Sequence, residues 1–259
     1  MTFDTSGTPA RLLAARDVVP AEAPGHTFRV LADAATTDGA YSLTEATSPV
    51  GAGVPPHAHD DAVECFFVLD GQYRLTVGGT ALVAGPGGFV LVPRSTPHQL
   101  EVIGEAEGRA VVVFAPAGFE EAFRAMPEIF GTPGEPGPLW EALNTKLNTR
   151  LLAPGDDLSG PSPVIGPSPT GALTGLASPA QTGTGLSIQL RSDPVPAEVW
   201  DVEPSVTAIW IVEGRYRFDT PSHSFTASAG ELVSPAPAEP MRAVSLGRTA
   251  RALFLNLPS

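Results

Sequence analysis

Short runs of alternating apolar and polar residues fill residues 26–115, from TFRVLA through AVECFFVL to RAVVVFA. Alternation with a period of two is typical of half-buried strands, and the Gly, Pro and Asp residues between the runs supply the turns. The 28 prolines and 27 glycines of the chain favour many turns and short strands over long helices. The pattern predicts an all-β fold, built as a sandwich or barrel of antiparallel strands.

The pattern changes after the last of these runs. In residues 118–130 (GFEEAFRAMPEIF) and 138–152 (PLWEALNTKLNTRLL), apolar residues recur three or four positions apart, which is a helical spacing. These segments are predicted to be two short helices. Residues 152–185 are rich in Pro, Gly and Ser and low in large apolar residues, so they are predicted to be mostly linker, with one strand near 172–176.

The strand pattern returns from residue 186 and repeats part of the first half. FFVLDGQYRLT at 66–76 aligns with IWIVEGRYRFD at 209–219, and GFVLVP at 88–93 aligns with GELVSP at 230–235. Two blocks in the same order at nearly one offset indicate an internal duplication, although strand-turn-strand pieces also resemble one another by chance. The expected organisation is an N-terminal barrel with trailing helices at 1–151, a linker at 152–185 and a C-terminal barrel at 186–259.

Charge and composition exclude some classes of partner. The net charge is −13 and Lys146 is the only lysine, so no basic stripe is available for a nucleic acid backbone. No long apolar run and no secretory leader pattern is present, which predicts a cytoplasmic protein without a membrane partner. The single cysteine, Cys65, cannot form an internal disulfide, and it is expected to be a small buried apolar residue.

Three histidines and one glutamate form the candidate chemical site. His57 and His59 are two positions apart, so in a strand both rings point to one face, and a turn through residues 60–61 brings Glu64 back beside them. His98 opens a later alternating strand and can reach the same interior. Imidazole and carboxylate ligands together suit one divalent transition metal (Fe, Ni, Mn, Co, Cu or Zn) rather than calcium. The alternative for PPHAHDD alone is a hydrophilic surface loop.

The spacing of these residues resembles the first sequence motif of the cupin superfamily. That motif reads G-(x)5-H-x-H-(x)4-E-(x)6-G, and Gly51, His57, His59, Glu64 and Gly71 occupy all of its specified positions. The resemblance implies a double-stranded β-helix barrel with three histidines and one glutamate as metal ligands.

The second cupin motif, G-(x)5-P-x-G-(x)2-H-(x)3-N, is matched in part. Gly87, Pro93 and His98 are present, whereas Ser95 replaces the glycine and Val102 replaces the asparagine. These two departures concern a turn and a strand position and leave the ligands intact. The whole chain thus resembles a two-domain cupin, with two barrels of which only the first carries the ligand set.

The sequence of the first barrel, together with the segment FAPAGFEEAFRAMPE that follows it, resembles quercetin 2,3-dioxygenase-like cupins. This resemblance implies a metal-dependent dioxygenase that cleaves a flavonol or a similar enolisable aromatic small molecule with O2. Glu64 is expected to serve also as general base, and a homodimer is expected because cupin barrels often pair through edge strands. Two alternatives stay open: a metal-dependent cyclase or isomerase of aromatic polyketide-type metabolism, and a non-catalytic small-ligand-binding cupin.

Strand alternation also predicts the lining of the substrate pocket. Phe66 and Val68 share the face of Glu64, and Leu100 shares the face of His98, whereas Cys65 lies on the opposite face. In the second barrel, the offsets of the two repeated blocks place no good ligand at the matching positions, and His223 falls in a predicted surface turn. The positions aligned with the four ligands are Trp200, Val202, Thr207 and Pro240.

Overall fold

A computed structural model gives the fold of the described residues, which are 10–130, 138–153, 155–166, 173–193, 199–236 and 239–257. Helices are few: α1 (Glu120–Ile129), α2 (Pro138–Lys146) and α3 (Pro179–Thr182), with a 3-10 helix at Ala15–Asp17. The strands, in chain order, are β1 (Arg11–Ala14), β2 (Ala21–Ala23), β3 (His26–Ala32), β4 (Ser42–Ser48), β5 (Gly53–His59), β6 (Val63–Asp70), β7 (Gln72–Val77), β8 (Thr80–Ala84), β9 (Phe89–Val92), β10 (His98–Ile103), β11 (Gly108–Ala115), β12 (Thr149–Leu151), β13 (Val164–Ile165), β14 (Leu173–Ala177), β15 (Ser187–Asp193), β16 (Val199–Val202), β17 (Val206–Asp219), β18 (Ser224–Ser228), β19 (Glu231–Ser234) and β20 (Met241–Asn256).

Residues Val19–Gly166 form one compact unit, here called the N-terminal barrel. It consists of a five-stranded sheet in the order β12-β5-β10-β7-β8 and a seven-stranded sheet in the order β13-β9-β6-β11-β4-β3-β2. All pairs in both sheets are antiparallel. One apolar core takes side chains from both sheets, among them Leu75 and Val102 from the first and Phe66 and Val112 from the second. The alternating pattern therefore buries one face of each sheet against the other.

The second compact unit comprises Met1–Val18 and Pro167–Ser259 and is here called the C-terminal barrel. Its sheet contains β1 and β14–β20 and is built on two long strands, β17 and β20. The pairing of these two strands shifts register at three points, so that each strand bends. The core of this unit is apolar and includes Ile209, Phe218 and Phe254.

Strand pairing repeats between the two barrels, as the duplicated sequence blocks predict. In the N-terminal barrel, β6 and β7 together pair with β8, β9, β10 and β11. In the C-terminal barrel, the long strand β17 takes the place of β6 and β7 and pairs with β18, β19 and β20. Gly71 and Gly214 both have a positive φ, and an added Cβ atom would lie 2.4 Å from a carbonyl oxygen at the first and 2.2 Å at the second. Only glycine fits such a position. Tyr73 and Tyr216, two residues later, are both buried.

The borders of the two units differ from those expected from composition. β1 belongs to the C-terminal barrel because it pairs with β19, more than 200 residues later in the sequence. The described part of the expected linker, 152–185, contains two strands: β13 pairs with β9 at an edge of the N-terminal barrel, and β14 pairs with β15 of the C-terminal barrel. Short edge strands add backbone hydrogen bonds but little apolar area, so their composition resembles that of a loop.

The second predicted helix is shorter than its apolar spacing suggests. α2 ends at Lys146, and Asn148 adopts a left-handed conformation with φ 50°. This residue breaks the helix, and the next three residues form β12, which pairs with β5. Within the described part of the chain, no helix is long and apolar enough to cross a membrane.

Candidate metal centre

Three strands of the N-terminal barrel bring the four predicted ligands together. His57 and His59 end β5, Glu64 lies at the start of β6, and His98 begins β10 directly opposite His57. One potential ligand atom from each side chain lies within 4.8 Å of the others. All four residues are buried, with exposed fractions from 1% to 6%. The alternative, in which the two histidines of PPHAHDD lie in a hydrophilic surface loop, is therefore wrong.

The glutamate lies between two of the imidazole rings. Its Oε2 atom is 2.9 Å from Nε2 of His98 and 3.4 Å from Nε2 of His59. The ring centroids of His57 and His98 are 4.1 Å apart, and those of His57 and His59 are 4.8 Å apart. The four side chains thus converge on a single point rather than forming separate pairs.

Backbone carbonyl groups fix the tautomers of two of the histidines. Nδ1 of His57 lies 2.8 Å from the carbonyl oxygen of Pro55, and Nδ1 of His98 lies 2.9 Å from that of Thr96. A carbonyl oxygen only accepts hydrogen bonds, so Nδ1 carries the proton in both rings. In the neutral ring Nε2 then bears a lone pair, which is the state a metal ligand needs.

A bound cation would satisfy the polar atoms of this centre better than hydrogen bonds among the four side chains do. With Nδ1 protonated in neutral His98, its Nε2 atom and the carboxylate oxygen of Glu64 face each other as two acceptors at 2.9 Å. Nε2 of His59 is buried and has no hydrogen-bond partner among the described residues. Unpaired buried acceptors are costly, and coordination of a cation satisfies them together. The three nitrogens and one oxygen fit one divalent transition metal.

The charge states of two ligands agree with this assignment. Burial is the largest cause that lowers the pKa of His57, to about 3. The ring of His57 is therefore neutral at pH 7. Burial alone would raise the pKa of Glu64, but the adjacent imidazole groups of His59 and His98 lower it below its ordinary value, so the carboxylate is ionised.

The turn before His98 departs from the usual motif at Ser95, and its conformation shows the consequence. Ser95 has a φ of 57°, in the left-handed region that favours glycine. Its backbone N–H donates a hydrogen bond of 2.8 Å to the carbonyl oxygen of His59. The serine thus keeps the glycine-like turn and joins the β9–β10 connection to the ligand strand β5, at the cost of local backbone strain.

A cavity of about 540 Å³ in the N-terminal barrel is lined by His57, His59 and Glu64 and by many apolar residues. Of the residues predicted to line it, Phe66 and Leu100 do so, whereas Val68 packs in the hydrophobic core. Cys65 is buried, and burial raises the pKa of its thiol. The other lining residues are Ala23, Pro24, His26, Phe28, Ala46, Ser48, Ala52, Gly53, Val54, Pro55, Tyr73, Ala110, Val112, Phe119, Phe123, Met126, Phe130, Trp140, Thr149 and Leu151.

Sequence reasoning missed the contribution of α1 to this cavity. Phe119, Phe123, Met126 and Phe130 recur at intervals of four, three and four residues, so they lie on one face of α1 and its ends. All four line the cavity. The carboxylate of Glu120 accepts hydrogen bonds from the backbone N–H groups of residues 34 and 118, at 2.9 and 2.6 Å, and holds the start of the helix. The helical spacing was the signal that could have identified this wall.

Among the described residues of the C-terminal barrel, strand register places apolar residues at the positions of two of the four ligands. Val202 pairs with Met241 in the way that His57 pairs with His98, so these two apolar residues replace two histidines. Sequence offsets alone assign Pro240 to the position of His98, one residue away, because the spacing between the blocks differs. His223 is exposed and contacts Ser222, as expected for a turn residue.

The C-terminal barrel has a buried ion pair at positions that correspond to part of the cavity wall of the N-terminal barrel. Nε of Arg191 is 2.8 Å from Oδ1 of Asp193, and its guanidinium lies 4.2 Å from the ring centroid of Trp200. By register on the adjacent strand, Arg191 and Asp193 correspond to Ala46 and Ser48, which line the cavity. Larger, charged side chains thus replace small ones at these positions of the second barrel.

Comparisons with known proteins agree with the fold and the cluster. A family model described as Cupin domain matches residues 44–114. Quercetin 2,3-dioxygenase of Bacillus subtilis is 30% identical over 98 residues, which are 38% of this chain and 29% of that enzyme. An uncharacterized protein of Streptomyces coelicolor, SCO3923, is 36% identical over 96 residues, covering 33% of this chain and 88% of that protein. The match to the Bacillus enzyme thus spans under a third of its length.

Solved structures extend the similarity of fold to nearly the whole chain. A variant of oxalate decarboxylase from Bacillus subtilis superposes with a TM-score of 0.66 and 15% identity, covering 98% of this chain and 79% of that chain. A second structure of this enzyme, described with Mn(II) centers, has a TM-score of 0.65 and 16% identity over 98% of this chain and 79% of that chain. At this identity the likeness concerns the fold alone.

The fold and the cluster define a two-barrel protein whose first barrel fits a divalent metal. The chain belongs to the cupin superfamily and resembles its quercetinase-like members.

Proposed function

We propose that this protein is a metal-dependent dioxygenase that cleaves a flavonol or a similar enolisable aromatic small molecule. The observation that carries the proposal is the aromatic cavity of about 540 Å³ that includes three of the metal ligands in its lining. This volume lies within the range of about 300–1,000 Å³ that is typical of sites for drug-sized ligands. Rings from β6, α1 and α2 give the cavity flat apolar walls that suit a planar aromatic molecule.

The lining argues against a small acidic substrate such as oxalate, despite the similarity of fold to oxalate decarboxylase. A compact dianion would need arginine or lysine side chains in the pocket to offset its desolvation. The described lining contains neither residue type. Its polar groups apart from the metal ligands are few, namely His26, Ser48, Tyr73 and Thr149.

A bound divalent metal would supply an electrophilic centre that holds an enolate oxygen and allows electron transfer toward O2. His57, His59, Glu64 and His98 would hold the metal. In the proposed reaction, a carboxylate oxygen of Glu64 accepts the proton of the substrate hydroxyl as the enolate forms. Phe119, whose ring lies 4.7 Å from that of His59, orients the aromatic plane and excludes water from the ligand cluster.

The similarity to quercetin 2,3-dioxygenase supports the substrate class. The aligned 98 residues are 30% identical. Their number exceeds the 71 residues, 44–114, that the family model matches, so the similarity extends beyond that domain alone.

The test is oxygen consumption by the metal-loaded protein with quercetin as the probe. We expect consumption of O2 with loss of the flavonol absorbance in the wild-type protein and a loss of at least about 100-fold in Glu64→Gln, because the amide neither coordinates as an anion nor takes the proton. Glu45→Gln is the matched control, since Glu45 is a buried carboxylate of the adjacent barrel wall that does not line the cavity. It should retain the wild-type rate.

Other results would point to the alternative functions. Conversion of an enolisable substrate without O2 uptake would replace the dioxygenase with a cyclase or isomerase. Binding of quercetin without any conversion would indicate a ligand-binding cupin. Either result would contradict the proposal.

A further inference from the structure

Besides the metal cluster, the cavity lining contains a pair of hydrogen-bonded polar side chains. His26 on β3 and Ser48 on β4 both line the cavity, and Nδ1 of His26 is 3.0 Å from Oγ of Ser48. Both side chains are half-buried. Polar groups are rare in this lining, so a pair held together by its own hydrogen bond is a candidate for ligand recognition.

A continuous series of ring contacts connects this pair to the metal cluster. The ring of His26 stacks on Phe28 at a centroid distance of 5.9 Å, and Phe28 stacks on Phe123 at 5.0 Å. Phe123 contacts Phe119 at 5.3 Å, and Phe119 contacts the ligand His59 at 4.7 Å. All five residues line the cavity. Three phenyl rings therefore separate the two polar regions along one wall.

The chemistry of the pair suits a neutral hydroxyl group. Burial lowers the pKa of His26, so its ring is neutral at pH 7. The contact with Ser48 occupies Nδ1 only, and Nε2 makes no hydrogen bond with the described residues. The imidazole nitrogen and the serine hydroxyl together offer one donor and one acceptor, which is what a phenolic hydroxyl requires.

We propose that His26 and Ser48 form a second anchor, which hydrogen-bonds a hydroxyl group at the end of the substrate remote from the metal. This inference rests on the proposed function and narrows its substrate class. The substrate is then an elongated planar molecule with a metal-binding hydroxyketone at one end, an aromatic body along the ring series and a phenolic hydroxyl at the other end.

A purely structural pair between two neighbouring strands would give a different result from an anchor. Removing a structural hydrogen bond changes stability but affects all ligands equally. Removing an anchor changes the preference between a ligand with the distal hydroxyl and a ligand without it, because a hydrogen-bonding site discriminates against partners that leave it unpaired.

The experiment measures dissociation constants of the metal-loaded protein without O2, for quercetin and for 3-hydroxyflavone, which lacks the additional hydroxyl groups. We expect the wild-type protein to prefer quercetin. His26→Phe, which keeps the stacked ring, should reduce that preference about tenfold, equivalent to about 1.4 kcal/mol. Ser48→Ala should reduce it in the same direction, and the affinity for 3-hydroxyflavone should not change in either variant. His223→Phe is the control and should keep the wild-type preference.

Two outcomes separate the anchor from the proposed function. If the wild-type protein binds both probes and neither variant changes the preference, the anchor is wrong and the flavonol site stands. If the metal-loaded wild-type protein binds neither probe, the flavonol proposal is wrong and the anchor with it. Should His26→Phe fail to fold, the Ser48→Ala result alone decides.

Discussion

Nδ1 of His59 lies 3.1 Å from Oγ1 of Thr149, although the two residues are 90 positions apart in the sequence. The contact exists because β12 pairs with the ligand strand β5 and places Thr149 directly opposite His59. The threonine hydroxyl thereby orients the imidazole ring so that Nε2 points toward Glu64. The segment after α2 is therefore part of the support of the metal centre.

Replacing Thr149 by valine tests this support. The change keeps the shape of the side chain and removes the hydroxyl, and we expect metal affinity to fall by about 10–100-fold, as is typical for partners of metal-binding histidines. Competition with a chelator of known affinity gives the value. Thr80→Val is the control, because Thr80 is exposed on β8. Equal metal affinity in both variants would show that the hydroxyl does not position His59.

Ser95→Gly is expected to stabilise the N-terminal barrel. Glycine adopts the observed φ of 57° without strain. Relief of about 1–2 kcal/mol of strain exceeds the entropic cost of glycine in the unfolded chain, about 0.4–1 kcal/mol, so a gain of about 0.5–1 kcal/mol is expected. Chemical denaturation of the metal-free protein measures it. Ser187→Gly, in strand β15 without a positive φ, should instead be destabilising. A loss of stability in Ser95→Gly would show that the serine is not strained.

Filling the cavity should separate ligand binding from metal binding. Ala46 lines the cavity, and its counterpart in the C-terminal barrel is the much larger Arg191. Ala46→Leu should weaken quercetin binding at least about tenfold through steric overlap, while the metal content stays at the wild-type level. Ala81→Leu, at an exposed position of β8, should change neither quantity. Unchanged quercetin affinity in Ala46→Leu would mean that the flavonol binds elsewhere.

Breaking the buried ion pair of the C-terminal barrel should be costly for stability. Only 2% of the Asp193 side chain and 15% of the Arg191 side chain are exposed, so Asp193→Ala leaves a largely buried guanidinium without its partner. A loss of about 3–5 kcal/mol is typical of such changes. Asp201→Ala removes an exposed partner of Arg242 and should leave the denaturation midpoint unchanged. Similar midpoints for the two variants would contradict the role of the buried pair.

The sequence predicted the cluster of four side chains because three of them lie close together in the chain. His57 and His59 share a strand face through the two-residue period, and Glu64 follows within one turn. The two-barrel fold was also predictable, since the two duplicated blocks share a turn glycine, Gly71 in the first and Gly214 in the second. Both positions require glycine because a Cβ atom there would collide with a backbone carbonyl oxygen. The pairing of two chains and the cytoplasmic location stay predictions.

The parts that sequence reasoning missed depend on contacts between distant segments. The pairing of β1 with β19 and of β12 with β5 involves three or four residues in each case, too few to give a pattern. Val68 packs in the hydrophobic core and does not line the cavity. The two-residue period predicts which face of the strand a side chain is on, but not how far along the strand the cavity extends. The position of α1 over the cavity depends on tertiary contacts of Glu120.

Elemental analysis of the purified protein and two variants tests the central claim most directly. About one divalent transition metal per chain is expected in the wild-type protein and in His223→Ala, since His223 is an exposed turn residue of the C-terminal barrel. His57→Ala should lose most of the metal, because it removes one of four ligands. A wild-type protein that takes up no metal after incubation with these ions, or a His57→Ala variant that retains the full content, would contradict the metal centre.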